Sequence, residues 1–333
     1  MSPSTTGYTN GHTDGQTNGH TNGQTNGQID DRPTSASRLE AEPSGAKHAS
    51  NPDKVHILVL ETDEPHPETQ ERKGSFGEVF HQLFTEAGTN HDPPLEVTTS
   101  MHYIVNDPDN DSHGHVPSIA EIPDSTRAIL ITGSMYDAGG DTPWVLSLIA
   151  LLRELWTTRP QILFSGVCFG HQVLCRLLGS KVEAKDSGRW ELAHTEMDLT
   201  PVGQKLFRLT DADGRESQKL YLHQMHQDLV TTVPSPATTD LLQHKKKVHV
   251  WASSEHTEIQ GLYIRDRLFS SQGHLGFDAG MVHTQIEMRQ ESGGIKDEQH
   301  VAEAKETAHL KHDGEVVAAA ILRFFHGDDH DID

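Results

Sequence analysis

The chain has 333 residues, with 27 basic against 49 acidic side chains and a formal charge of −22. That balance works against a nucleic-acid partner, since the one basic run, Lys245-Lys246-Lys247, is too short to form a basic face. No stretch approaches the roughly 18 consecutive apolar residues of a membrane-spanning helix. Two cysteines and no secretory leader point to a reducing setting, cytosolic or cytosolic and nuclear.

From Thr9 to Gln28 a four-residue unit, T-(N/D)-G-(H/Q), repeats five times with no apolar side chain to bury. Such sequence cannot offset its ordering entropy, so 1–51 is expected to be a disordered low-complexity tail. Its histidines have no preset geometry for a metal. The folded domain is expected over 52–328, with a frayed acidic end at 329–333.

Val55 to Leu60 is a nearly continuous apolar run, as in a strand covered on both faces. Phe76, Val79, Phe80, Leu83 and Phe84 recur at helical spacing toward a stop near Gly88. Leu95 to Tyr103 and Ala128 to Thr132 read as further strands, the latter entering the turn Gly133-Ser134. Pro143 suits the first turn of a helix running to Trp156. Strands alternating with helices predict an α/β fold, a mostly parallel central sheet flanked by helices. Ligands in such sheets gather at the carboxyl ends of strands, where Gly133 and Cys168 both fall.

The run Phe164-Ser165-Gly166-Val167-Cys168-Phe169-Gly170-His171-Gln172 sets a cysteine where a short strand, Gln161 to Phe164, gives way to a helix reaching Leu178. Gly166 and Gly170 would permit positive φ in a tight elbow. At a helix N-terminus Cys168 would gain thiolate character, and the same N–H groups could hold an oxyanion. Most free cysteines are buried packing residues, which remains the reading of Cys175 on the apolar face of that helix. Two cysteines at this spacing do not make a zinc site. His274 follows the strand Arg267 to Ser271 and Gly273. Helices are then expected over 278–291, broken at Gly293-Gly294, and over 301–310 and 315–325, the last with Val316, Val317, Ala320, Ile321 and Phe324 on one face.

These segments resemble a class I glutamine amidotransferase domain of the freestanding kind, similar to the glutaminase portion of GMP synthase. The likeness runs from about Lys54 to Phe325. It rests on Glu61-Thr62-Asp63, Ile131-Thr132-Gly133-Ser134, the Gly166-to-Gln172 elbow and Ser271-Gln272-Gly273-His274. The resemblance implies a flavodoxin-like fold and a cysteine hydrolase that attacks the side-chain amide of glutamine to form a thioester. Cys168 would be the nucleophile and His274 the base. Backbone N–H groups of Gly133 and Phe169 would hold the oxyanion. Gln172, with His226 and Asp228 in Met225-His226-Gln227-Asp228, would bind the substrate. Neither cofactor nor metal is implied. Relatives of this kind include members of fungal secondary-metabolite pathways.

The family pattern after the histidine is His-Pro-Glu-Phe, whereas this chain reads His274-Leu275-Gly276-Phe277. The orienting carboxylate is replaced by Gly276, a change that can cost about 10⁴-fold in turnover while leaving nucleophile and base in place. Asp278, Glu255, Glu258 or a backbone carbonyl could stand in for it. No phosphate-binding glycine loop is present, so ammonia would pass to a separate synthase or other amide-accepting enzyme. Three functions follow: glutamine hydrolysis supplying nitrogen to such a partner, γ-glutamyl peptidase-type amide hydrolysis, or a non-catalytic protein with a degraded triad.

Overall fold

The computed structural model describes residues 53–329 and 332, except 186, 187, 212 and 245. The repeat tail and Lys245 lie outside the described residues.

Nine strands form the main sheet: β1 Lys54–Glu61, β2 Glu96–Tyr103, β3 Ala128–Ile131, β4 Leu163–Val167, β5 Glu191–Leu199, β6 Lys219–His226, β7 His249–Ser253, β8 Gly261–Ile264 and β9 Leu268–Ser271. Their order across the sheet is β2-β1-β3-β4-β9-β8-β7-β5-β6. The first five are parallel neighbours, as the sequence predicts. From β9 onward the pairing turns antiparallel, an extension that periodicity did not reveal. Among the described residues eight α-helices accompany the sheet: α1 Pro67–Lys73, α2 Phe76–Thr89, α3 Pro143–Thr158, α4 Phe169–Leu177, α5 Pro201–Phe207, α6 Ala279–Glu291, α7 Glu298–Thr307 and α8 Gly314–His326.

Alternation along the strands divides the core. Ile57, Val59, Ala128 and Leu130 face α2, α5 and α8, where Phe84, Phe207 and Phe324 complete one apolar layer. Leu58, Leu60, Ile129 and Ile131 face α3 and α4, against Leu148, Leu152, Val173 and Leu174. A smaller cluster joins Met281, Val282 and Ile286 of α6 to Leu192, Met225, Phe277 and Val301. It fixes α6 as a roof over the carboxyl end of the parallel half.

Helix starts follow capping chemistry. Ser75 and Glu78 form a reciprocal capping box at α2, and Asp278 caps α6 through Met281 N–H. The α2 helix runs through Gly88 to Thr89. That glycine is required by close packing, since a Cβ there would lie 2.6 Å from Leu95 O. The end expected to fray is held in part: Asp329 and Ile332 are buried, and Asp329 accepts a hydrogen bond from Tyr263.

Candidate active site

The site is built where β3 and β4 end. β4 runs directly into α4 through Cys168, which takes φ 52° and ψ −108°. The strained residue is therefore the cysteine itself, and Gly166 and Gly170 serve another purpose. A Cβ on Gly166 would lie 2.4 Å from Gly170 C, and one on Gly170 would lie 2.3 Å from Ile131 O. Their bareness lets the elbow close against its own helix and against β3.

The loop after β3 is tied to the elbow by Gly170 N–H donating to Thr132 O (3.2 Å). Thr62 N–H donates to Thr132 Oγ1 (2.9 Å), and Thr62 Oγ1 lies 3.0 Å from Gly133 O. Asp63 Oδ2 accepts from Met135 N–H (2.6 Å). These bonds fix the Gly133 peptide beside the thiol. Phe169 N–H is directed at the Cys168 side chain. Among the described residues, neither it nor Gly133 N–H is taken up by a backbone carbonyl.

His274 enters from the end of β9, held by its N–H donating to His223 O (2.8 Å). Its ring stacks on Phe277 with centroids 3.9 Å apart. A Cβ built on Gly133 would lie 3.1 Å from His274 Cε1, 3.7 Å from its Nδ1 and 3.6 Å from Cys168 Cβ. Cys168, His274 and Gly133 thus share one small volume, with the Nδ1 edge of the imidazole toward it.

The opposite edge of that ring has no partner. Nε2 of His274 is buried and makes no hydrogen bond among the described residues. Asp278 does not serve it, being engaged with the α6 N-terminus, Lys73 (2.9 Å) and Arg72 (3.5 Å). Glu255 and Glu258 are exposed. Among the described residues no carbonyl takes the role either, so neither these acids nor the backbone replaces the missing carboxylate.

Burial dominates the electrostatics. It pushes the Cys168 thiol up to about 11, against the pull of Arg289 and the Phe169 N–H. Burial, then Arg289, His226 and His223, holds His274 well below the ordinary imidazole range. The resting pair is neutral thiol and neutral imidazole, so the helix N-terminus does not win the thiolate expected there.

Gln172, His226 and Asp228 come together: Gln172 and His226 are buried, while Asp228 is half-buried, its backbone carbonyl joining the network and its carboxylate raising the Cys168 thiol. Gln172 Nε2 donates to Asp228 O (2.8 Å) and lies 3.2 Å from Gln272 Oε1. His226 Nε2 lies 2.9 Å from Glu191 Oε2 and its Nδ1 lies 3.0 Å from Asp228 O. Glu191 also accepts from Thr257 and Gln260. This network fixes the strand end next to the elbow. His171 is likewise a core residue, bonded to Ser270 Oγ (2.8 Å).

A cavity of about 590 Å³, its open mouth included, reaches Cys168, His274 and Gly133. Its walls are Phe76, Val79 and Phe80 of α2, Phe277, and Met281 and Met288 of α6; none of Gln172, His226 and Asp228 lines it. Three charged groups do: Asp63, raised to about 6 by burial, its neighbour Glu64, and Arg289. Sequence reasoning noted Asp63 only as part of a strand-end motif and missed Arg289, which lies in no motif.

The family model described as glutamine amidotransferase class-I matches residues 111–289. A glutamine amidotransferase-like protein of Schizosaccharomyces pombe is 26% identical over 81% of this chain and 98% of its own. Gamma-glutamyl peptidase 3 of Arabidopsis thaliana is 29% identical over 45% of this chain and 55% of its own. The crystal structure of a glutamine amidotransferase from Methylobacillus flagellatus superposes with a TM-score of 0.54 at 17% identity. It covers 82% of this chain and 94% of that one, a likeness of fold.

Proposed function

Because the chain belongs to the class I glutamine amidotransferase family, we propose that it is a Cys168-dependent amide hydrolase acting on γ-glutamyl amides whose leaving amine is larger than ammonia. Amide hydrolysis is the chemistry common to its family and to its γ-glutamyl peptidase relatives. The observation that carries the finer reading is the largely apolar cavity that reaches Cys168, His274 and Gly133 together.

In this reading Cys168 Sγ attacks the γ-carbonyl carbon while His274 takes the thiol proton. The carbonyl oxygen becomes an oxyanion held by Phe169 and Gly133 N–H. His274 passes its proton to the leaving nitrogen, the C–N bond breaks, and a γ-glutamyl thioester remains. Water, deprotonated by His274, then attacks the thioester and releases glutamate and the thiol. The leaving nitrogen must face the acid that protonates it. The cavity there has apolar walls, the Arg289 guanidinium and the Asp63 and Glu64 carboxyls, a fit for an amine carrying an apolar side chain and a carboxylate that pairs with the guanidinium.

A panel of glutamine and γ-glutamyl dipeptides, assayed for ammonia, amine and glutamate, tests this. The expected result is at least tenfold higher kcat/KM for γ-glutamyl-leucine or γ-glutamyl-phenylalanine than for glutamine, abolished in Cys168→Ala. Ammonia from glutamine as the sole product would instead support nitrogen supply to a separate acceptor enzyme.

The unpartnered Nε2 of His274 favours a second reading, a binding protein that keeps the fold without turnover. A glutamine-mimicking electrophile such as 6-diazo-5-oxo-norleucine distinguishes it. Single labelling lost in Cys168→Ala supports the hydrolase, and a folded protein that takes no label supports the binding module.

A further inference from the structure

Three ligand-bearing side chains converge where α2 and α8 end side by side. The two helices pack through Phe84 and Phe325, whose rings are 6.3 Å apart. His91 follows the α2 cap at Asn90, and His326 closes α8. Gly327, at φ 95°, turns the chain so that Asp328 returns over both rings. Asp328 Oδ2 lies 3.1 Å from His91 Nε2 and also contacts His326 Nδ1. One donor atom from each residue falls within 4.8 Å of the other two.

The tautomer of His91 gives this arrangement its meaning. Its Nδ1 lies 2.7 Å from Pro93 O. A carbonyl only accepts, so Nδ1 carries the proton. In the neutral ring Nε2 then presents a lone pair to Asp328 Oδ2, itself electron-rich. Positive charge holds two such atoms 3.1 Å apart, either a second proton on the ring or a bound cation in its place. A backbone carbonyl accepting from one ring nitrogen, which leaves the other free to act as a ligand, is also the outer-shell pattern of metal-bound histidine.

We propose that His91, His326 and Asp328 form a binding site for a divalent first-row cation of the zinc type, held by two imidazole nitrogens and one carboxylate oxygen with water completing the shell. None of the three lines the cavity at Cys168. The ion would clamp the end of α8 to the end of α2, a structural role separate from amide hydrolysis.

The test uses the full chain stripped with chelator, then titrated calorimetrically with Zn²⁺ alongside His91→Ala and Asp328→Asn. The tail histidines are present in every variant, so the difference between proteins is the readout. The expected result is one Zn²⁺ equivalent bound by the parent and lost in both variants. The parent alone should also gain about 5 °C in Tm at a hundredfold excess over Kd. Melting in chelator shows whether each variant is folded. Equal Zn²⁺ stoichiometry in folded parent and variants, or no Zn²⁺ bound by the parent, overturns the site.

Discussion

The Val79 Cγ1 methyl stands 2.7 Å from the point where a Cβ on residue 276 would be placed. The space a family glutamate would use is therefore closed by α2, and Gly276 and Val79 form one feature. Gly276→Glu alone forces a carboxylate into an apolar wall, and overpacking of this kind costs about 1–3 kcal/mol. We expect a lower Tm and no gain in turnover. Val79→Ala combined with Gly276→Glu opens the space and offers Nε2 of His274 an acceptor, so kcat should rise by about 10²-fold or more. A folded double variant with unchanged kcat would show that orientation of the imidazole is not the limiting defect.

The neutral resting pair sets the pH response of the nucleophile. With the Cys168 thiol pushed up to about 11 by burial, iodoacetamide labelling should accelerate about tenfold per pH unit from 7 to 9, without a plateau. Mass spectrometry of the intact chain, with Cys168→Ala as reference, measures this. A plateau below pH 8 would mean that His274 or Arg289 stabilises the thiolate more than burial opposes it.

The parallel half and its elbow were legible because buried parallel strands read as apolar runs and because glycines flank the cysteine. The antiparallel half was not. His194, Thr195 and Glu196 interrupt the apolar pattern of β5 where the strand is only partly buried. The local spacing that found Cys168 and His274 could not find Arg289, which reaches the cavity only through the packing of α6. The inward turn of His226 depends on Glu191, a strand residue whose partners Ser254, Thr257 and Gln260 are more than 60 positions away.

Asp63 and Arg289 should give substrate binding a pH dependence of its own. Burial holds the Asp63 carboxyl up at about 6, opposed by Met135 N–H, Glu64 N–H and Arg289. Above that pH its negative charge offsets Arg289; below it one carboxylate fewer opposes the guanidinium, which then attracts an anionic leaving amine more strongly. KM for γ-glutamyl-leucine should fall about fivefold from pH 7 to pH 5, since unit charges about 4 Å apart interact by about 1 kcal/mol even in water. Asp63→Asn should flatten the profile and Arg289→Met should raise KM across it. A profile unchanged in Asp63→Asn assigns the titration elsewhere.

Glu191 provides the acid limit of the fold. Although burial opposes ionisation, His226, Ser254 and Thr257 hold its carboxyl down at about 2, below the ordinary 4.5. A group depressed in this way contributes its full stability above pH 4.5 and loses it as pH falls toward 2. The contribution is about 3 kcal/mol. Denaturant unfolding from pH 7 to pH 3 should show about 2 kcal/mol of this loss, and Glu191→Gln should remove most of the slope while lowering stability at pH 7. Removing one partner of a buried pair costs about 3–5 kcal/mol when the other is left charged. If Glu191→Gln kept the parental pH slope, the buried pair would not be the source of acid sensitivity, and the strand end beside the elbow would be held by packing alone.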